Sequence, residues 1–253
     1  MKFTHMRQQF TAVVVILISL LLGGCEDNTG VDLMLAADAG IDAVKAVIIS
    51  DEAVRNMAFE TVAFSDSKNR VAPMQSSYAQ RLQRLTARYT QSGDQQFNFK
   101  AYLTPEINAF ATADGSIRLY SGLMDRMNDS ELLFIIGHEV GHVVKGHSRK
   151  KIRIAYASRA IRKGAASINN EVGSIARSQI GGFTEKLLNA QYSQKEEREA
   201  DDYGLLFLKN TGHGPKAAAS ALQKLAGASS SHSFLSSHPA PEKRVKRLLA
   251  QLQ

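Results

Sequence analysis

Cysteine is nearly absent: the 253 residues hold one, Cys25. No disulfide can form within the chain, so its stability has to come from packing and from any metal it binds. A metal site in the body of the chain must then be built from histidine, aspartate and glutamate. Long apolar runs are scarce as well. The run from Phe10 to Leu22 falls short of the about 20 residues a helix needs to cross a bilayer. No internal repeat is visible, so a repeat architecture is not expected.

What is present is chemistry at fixed spacing. His138-Glu139-Val140-Gly141-His142 reads H-E-x-x-H, the pattern in which two histidines and a glutamate build a zinc hydrolase site. Residues four apart on an α-helix lie about 40° apart around the axis and about 6 Å apart along it. His138 and His142 can therefore point two imidazoles at one ion, with Glu139 beside them to take a proton from water. A helix is expected here. Asn128-Asp129-Ser130-Glu131 is a capping-box start. Leu132, Leu133, Phe134, Ile135, Ile136, Val140, Val143 and Val144 follow, apolar nearly all round and so buried. A buried helix with three polar side chains is costly unless they are satisfied. Histidines bonded to backbone carbonyls are the plain alternative, whereas one metal satisfies all three groups. A catalytic zinc takes three protein ligands and keeps a position for water. The run Glu196-Glu197-Arg198-Glu199-Ala200-Asp201-Asp202 offers the third. Glu197 and Asp201 share one helical face, and Tyr203, Leu205, Leu206 and Leu208 carry the segment into the core. Glu196 and Glu199 compete with Glu197 for the ligand role.

HEVGH followed about fifty residues later by Glu197-x-x-x-Asp201 resembles the HtpX-like, prenyl-protease-related zinc metallopeptidases, a gluzincin group. Asn108-Ala109-Phe110-Ala111 and Ile117-Arg118-Leu119-Tyr120-Ser121-Gly122-Leu123-Met124 are similar to that family's strand pair ahead of the zinc helix. His238-Pro239, followed by Arg244, is similar to its C-terminal His-Pro motif. The resemblance spans roughly residue 74 to the end and is greatest to the small bacterial lipoprotein members, the YggG (LoiP) type. It implies an α+β, mostly α-helical fold: a zincin-like metallopeptidase domain with a small β-sheet packed against the HExxH helix. It implies one zinc ion per chain on His138, His142 and Glu197, with Glu139 as general base. Asp201 then orients a liganding histidine, raising its basicity. His238 lies near the metal, binding zinc in a latched state or stabilising the oxyanion, and Arg244 is an auxiliary residue. Among the competing glutamates, only Glu197 has an aspartate four residues on followed by the family's glycine position, Gly204.

The strands suggest how substrate binds. Gln96 to Thr104 alternates, with Phe97, Phe99, Ala101 and Leu103 on one face and Asn98, Lys100 and Tyr102 on the other. Asp114-Gly115 marks a hairpin between Ala109-Phe110-Ala111 and Ile117-Arg118-Leu119-Tyr120. An edge strand formed by Asn108, Ala109, Phe110 and Ala111 would pair with an extended peptide through main-chain hydrogen bonds. Unfolded or extended polypeptides are the expected substrates.

Lys2 and Arg7, the apolar run, and Gly23-Gly24 before Cys25 read as a secretory signal peptide over residues 1–24. Leu22-Gly23-Gly24-Cys25 resembles a bacterial lipobox, whose cysteine is acylated and becomes the first residue. Several acyl chains anchor a protein where one chain binds only marginally. Glu26 stands where aspartate would signal inner-membrane retention in enteric-type bacteria. The expected place is therefore the outer membrane, facing the periplasm, with residues 25–30 as a lipidated tether and 31–253 as one metallopeptidase domain.

The rest reads as mostly helical: Val31 to Ser50, Asp51 to Phe64, and Met74 to Gln91 with a capping box at Ser77-Tyr78-Ala79-Gln80. A long helical stretch after the zinc helix runs to Asn189, broken by Gly164, Gly173, Gly181 and Gly182. Pro215 to Leu225 and Glu242 to Leu252 close the chain. Arg149, Lys150, Lys151, Arg153, Arg159, Arg162 and Lys163 form a basic cluster, a solvated face or a contact for anionic lipid or an acidic partner; no nucleic acid partner is expected. Ala228 to Ser237 reads as a loop, a linker or a lid that carries His238. His147 reads as a helix-end residue, not a ligand. The expected function is a zinc-dependent endopeptidase acting on misfolded or flexible envelope proteins, that is, protein quality control. The alternative is a chaperone or scaffold lipoprotein serving an envelope-assembly partner, its zinc site latched by His238.

Overall fold

A computed structural model describes residues 49–162, 179–227 and 234–251. The leader, Cys25, the tether, the body of the helix expected over Val31 to Ser50, Gly164, Gly173 and residues 228–233 lie outside the described residues.

Helix α1 (Asp51–Lys68) starts at Ser50, whose hydroxyl accepts from the Ala53 N–H, with Asp51 and Glu52 in its first turn. Both features satisfy or complement the free N–H groups of that end. It runs one turn further than the sequence suggested, which brings in Asp66. Helix α2 (Ser77–Thr86) is capped by Ser76, not Ser77: the Ser76 hydroxyl takes the Ala79 N–H, so the box expected at Ser77 does not form.

A two-stranded hairpin, β1 (Gln91–Ser92) and β2 (Gln95–Gln96), precedes a sheet of β3 (Asn98–Tyr102), β4 (Ala109–Ala111) and β5 (Ser116–Tyr120) in the order β3-β5-β4. β4 and β5 form the expected antiparallel hairpin, with Gly115 at φ 90° in its turn. β3 joins the far side of β5 in parallel, from Asn98 opposite Ser116 to Tyr102 opposite Tyr120. β4 is therefore an edge. The expected two-faced alternation of β3 fails at its end, where Ala101 and Tyr102 are both buried. The Tyr102 ring joins Phe110 and Tyr120, and its hydroxyl donates to Asp66.

Among the described residues the helices that follow are α3 (Ser121–Arg126), α4 (Asp129–Val144), α5 (His147–Arg162), α6 (Ile180–Asn189), α7 (Gln194–Asn210), α8 (Lys216–Ala226), α9 (Phe234–Ser237) and α10 (Pro241–Ala250). α4 has the predicted capping box in full: Asn128 accepts from the Glu131 N–H, and the Glu131 carboxylate accepts from the Asn128 N–H. The long stretch expected beyond it is interrupted early, where Gly146 takes the left-handed conformation (φ 77°) and turns the chain into α5.

α4 and α7 pack against one another very closely, and glycine makes this fit. A Cβ on Gly137 would stand 2.6 Å from the Phe207 Cβ, and one on Gly204 would stand 3.0 Å from the Phe134 ring and carbonyl oxygen. The main core joins Leu132, Ile135 and Ile136 of α4 to Leu208 of α7, Leu222 of α8 and Ile117 and Leu119 of β5. A second cluster holds α1 to α5 and α6 through Val54, Met57, Ile152 and Phe183. The sheet lies on α4 as expected, with β4 the strand most in contact with that helix. Among the described residues, no helix is long and apolar enough to cross a membrane.

Candidate metal centre

α4 presents His138, Glu139 and His142 toward α7, which presents Glu197 and Asp201. α9 and the turn after it bring His238, and α10 brings Arg244. His138, Glu139, His142, Glu197, Asp201 and His238 are at most 1% exposed and Arg244 is 4% exposed. One donor atom from each of His138, His142, Glu197 and His238 falls within 4.8 Å of all the others. The His138 Nε2 lies 3.1 Å from the His142 Nε2 and 3.2 Å from the His238 Nδ1. Glu197 Oε1 lies 3.0 Å from the His238 Nδ1 and 3.4 Å from the His142 Nε2. A tetrahedron of ligands ~2.0–2.1 Å from its centre has edges of ~3.3 Å, so these spacings fit one ion.

The electrostatics fit it too. Burial pushes the His138 pKa down, His142 down to about 3 and His238 down to about 4. The rings are thus neutral, each with a lone pair to offer. Burial alone would raise Glu197, but the Arg244 guanidinium and the neighbouring His238 bring it well below the usual carboxylate range. The Arg244 Nη1 abuts Glu197 Oε2 as an ion pair. Burial, then the Glu197 charge, pushes Glu139 up to about 8. Both Glu139 oxygens are buried without a hydrogen-bond partner, and the nearest ring nitrogen is His238 Nε2 at 3.4 Å. Buried polar atoms without partners are rare, and here they sit beside the converging donors.

His138 is held from behind. Its Nδ1 lies 3.0 Å from Asp201 Oδ1, and Arg244 donates to both Asp201 oxygens, from Nε at 2.9 Å and Nη2 at 2.6 Å. Tyr192 stacks on the His142 ring at 3.7 Å, and Phe234 stacks on His238 at 4.0 Å. A small cleft beside Glu139 is lined by Phe110, Ala111, Lys151, Tyr192 and His238.

The sequence-predicted residues His138, Glu139, His142, Glu197, Asp201, His238 and Arg244 thus meet in one place. Asn108 to Ala111 lie at the sheet edge against α4, and Cys25 lies outside the described residues. The competing glutamates face elsewhere. Glu196 forms the capping box of α7 with Ser193 and pairs with Lys150, and Glu199 bonds His147. The basic cluster is not a uniform solvated face. Lys150 pairs with Glu196, Arg153 pairs with Asp51, and Lys151 turns inward with its Nζ 4.2 Å from the Tyr192 ring centre. The side chains of Arg159, Arg162 and Lys163 lie outside the described residues. Tyr192 and Phe234 carry no motif spacing and escape a reading of the sequence, and Lys151, expected in the basic cluster, lines the cleft instead. That reading also missed His147 as a partner of His142.

The pattern of Peptidase family M48 matches residues 73–252. The chain belongs to peptidase family M48. Metalloprotease LoiP of Escherichia coli (strain K12) is 38% identical over 239 residues, 93% of this chain and 94% of that protein. Metalloprotease YcaL of the same strain is 36% identical over 231 residues, 90% of this chain and 91% of that protein. The Beta-barrel assembly-enhancing protease of Yersinia pestis is 30% identical over 161 residues, 59% of this chain but 33% of that protein. The M48 chain is accordingly a metal-dependent endopeptidase acting on polypeptides, and its architecture is the α+β zincin-like kind implied by its motifs.

Proposed function

We propose that the chain is a zinc-dependent endopeptidase of the bacterial envelope, tethered through acylated Cys25 and acting on misfolded or flexible proteins. The carrying observation is the convergence of four buried donor atoms beside a buried, unpartnered Glu139 carboxylate. One zinc ion would be held by His138, His142 and Glu197, with His238 as a fourth, displaceable ligand. Bound there, zinc supplies Lewis acidity and lowers the pKa of its water to near 7.

The chain's own groups do the rest. Glu139 accepts the proton of the attacking water and returns it to the leaving amine. Asp201 fixes the His138 tautomer through Nδ1, and Arg244 fixes Asp201. A substrate strand docks along β4. The Thr112 N–H bonds Ser116 and the Tyr120 N–H bonds Asn108, so by antiparallel alternation the main-chain groups of Ala109 and Ala111 face away from β5. The Asn108 side chain now takes the Ala109 N–H at 2.9 Å, and an incoming peptide takes its place.

With all four ligands engaged a zinc site would be closed, so His238 would have to leave to admit water, and Phe234, stacked on it, would move with it. This latch favours gated activity and also keeps the scaffold reading in play. The name of the Yersinia pestis relative, a beta-barrel assembly-enhancing protease, suggests a beta-barrel assembly partner for either. The leader, the lipobox-like stretch and Glu26 support attachment at the outer membrane, facing the periplasm; membrane retention of Cys25→Ser would refute the acyl anchor.

The deciding assay sets the purified protein, with and without chelator, against an unfolded protein. Cleavage that chelator stops and Glu139→Gln lacks, with zinc still bound, is the expected result. His238→Ala is expected to cleave faster than the parent. Zinc retained with no turnover, in both parent and His238→Ala, would favour the scaffold.

A further inference from the structure

We propose that His147 and Glu199 form a second positioning relay, which holds His142 on the metal as Asp201 and Arg244 hold His138. The relay rests on the zinc reading above. His147 is the first residue of α5, directly after the left-handed turn at Gly146. That turn brings its ring back against the zinc helix. The His147 Nδ1 lies 3.1 Å from the His142 Nδ1, and the His147 Nε2 lies 2.9 Å from Glu199 Oε2. His147 is 5% exposed, while the Glu199 side chain is 40% exposed.

The order of donors follows from the chemistry of a neutral imidazole, which has one N–H and one acceptor nitrogen. His142 offers Nε2 to the centre, so its proton sits on Nδ1. The His147 Nδ1 must then accept it. The proton of His147 therefore sits on Nε2, which donates to the Glu199 carboxylate. No other arrangement of two neutral rings satisfies both contacts while leaving the His142 Nε2 free. Such a partner fixes the tautomer and orientation of a ligand and raises its basicity. Tyr192, stacked on the flat of His142, restrains the ring in the remaining direction. The bland alternative is that His147 only fills space. A space-filling ring would need neither an acceptor nitrogen facing His142 nor a carboxylate behind it.

Zinc dissociation constants measured by chelator competition on the full chain test this, with the melting midpoint of the metal-free protein as control for folding. His147→Phe keeps a ring but no acceptor and is expected to bind zinc about 10–100-fold more weakly. His147→Asn, whose side-chain oxygen can accept from the His142 Nδ1–H, is expected to recover most of that loss. Glu199→Ala is expected to weaken zinc measurably, by up to about tenfold. The double variant His147→Phe/Glu199→Ala should bind no more weakly than His147→Phe alone, because the carboxylate acts only through the ring. Parent-like affinity in His147→Phe, equal losses in the Phe and Asn variants, or additive losses in the double variant would overturn the relay. Should His147→Phe not fold, Glu199→Ala at its half-open position decides, and unchanged affinity there overturns the relay. A parent that binds no zinc would overturn the metal reading instead, a separate result.

Discussion

Two arginine–aspartate pairs join α7 to α10, one buried and held by two hydrogen bonds, the other part-exposed and held by one. Asp201 pairs with Arg244 and Asp202 pairs with Arg247, each with a nitrogen–oxygen distance of 2.6 Å. The aspartates are neighbours in the chain. Yet the Asp201 and Arg244 side chains are 0% and 5% exposed, while those of Asp202 and Arg247 are 52% and 25% exposed. The inner pair also continues into the site, to His138 and to Glu197. Burial alone would raise the Asp201 pKa, but Arg244 and the His138 hydrogen bond bring it below its ordinary value. Equal distances therefore do not mean equal roles. A buried charge must be answered by a partner, whereas a solvated one is answered by water.

The largest break in this comparison should come from Arg244→Leu. It strands two buried carboxylates, Glu197 and Asp201, and breaking a buried pair costs about 3–5 kcal/mol. Urea unfolding of the chelated protein is the measurement, since a bound cation would mask part of the loss at Glu197. A loss below about 1 kcal/mol, the ceiling for surface pairs, would show that water reaches the inner pair after all.

How much of this was legible in the chain varies by the range of the contact. The HExxH helix was readable because all its signals are local: the Asn128–Glu131 box, the apolar run, and two histidines four apart. The shared helical face of Glu197 and Asp201 and the hairpin at Gly115 were readable for the same reason, but local spacing left Glu196 and Glu199 as rivals of Glu197, and only the family resemblance chose among them. Contacts made by turning the chain were not. Gly146 redirects His147 onto His142, and nothing in the spacing announces a left-handed turn there rather than at the later glycines. The parallel pairing of β3 with β5 was equally hidden, because alternation marks a strand but not its partner. Asp66 was hidden too. α1 had to run one turn further before that carboxylate could meet Arg118, whose side chain is 2% exposed on the sheet.

That Asp66–Arg118 pair is an intermediate case between the two on α7. The Arg118 Nε donates to Asp66 at 2.8 Å, and the Asp66 side chain is 20% exposed. Asp66→Ala is expected to cost about 1–3 kcal/mol, the penalty of an unsatisfied buried group. Its pH dependence has a definite sign. Burial would raise the Asp66 pKa, but hydrogen bonds from Arg118, Tyr102 and Lys100 lower it from 3.8 to about 2. A depressed carboxylate stabilises the fold above its unfolded pKa and loses that contribution as pH falls through the folded value. The urea midpoints of parent and Asp66→Ala should therefore differ at pH 5 and converge toward pH 2. A gap that persists at pH 2 would mean the variant lost packing, not charge.

The smallest effect is expected at the outer pair. Asp202→Ala removes a contact as short as the one at Asp201, but both side chains already reach solvent in part. The Arg247 Nη2 also keeps its bond to the Arg198 carbonyl at 2.9 Å, and the buried Arg247 Nε has no partner to lose, so the substitution strands no further group. Exposed pairs contribute about 0.2–1 kcal/mol, and added salt should erase most of that. Unfolding of Asp202→Ala at low and high salt, read beside Arg244→Leu, is the sharpest form of the test. If Asp202→Ala costs as much as the inner variant, and salt does not reduce the loss, then burial is not what separates the two pairs, and α10 must dock on α7 through its ion pairs as a set.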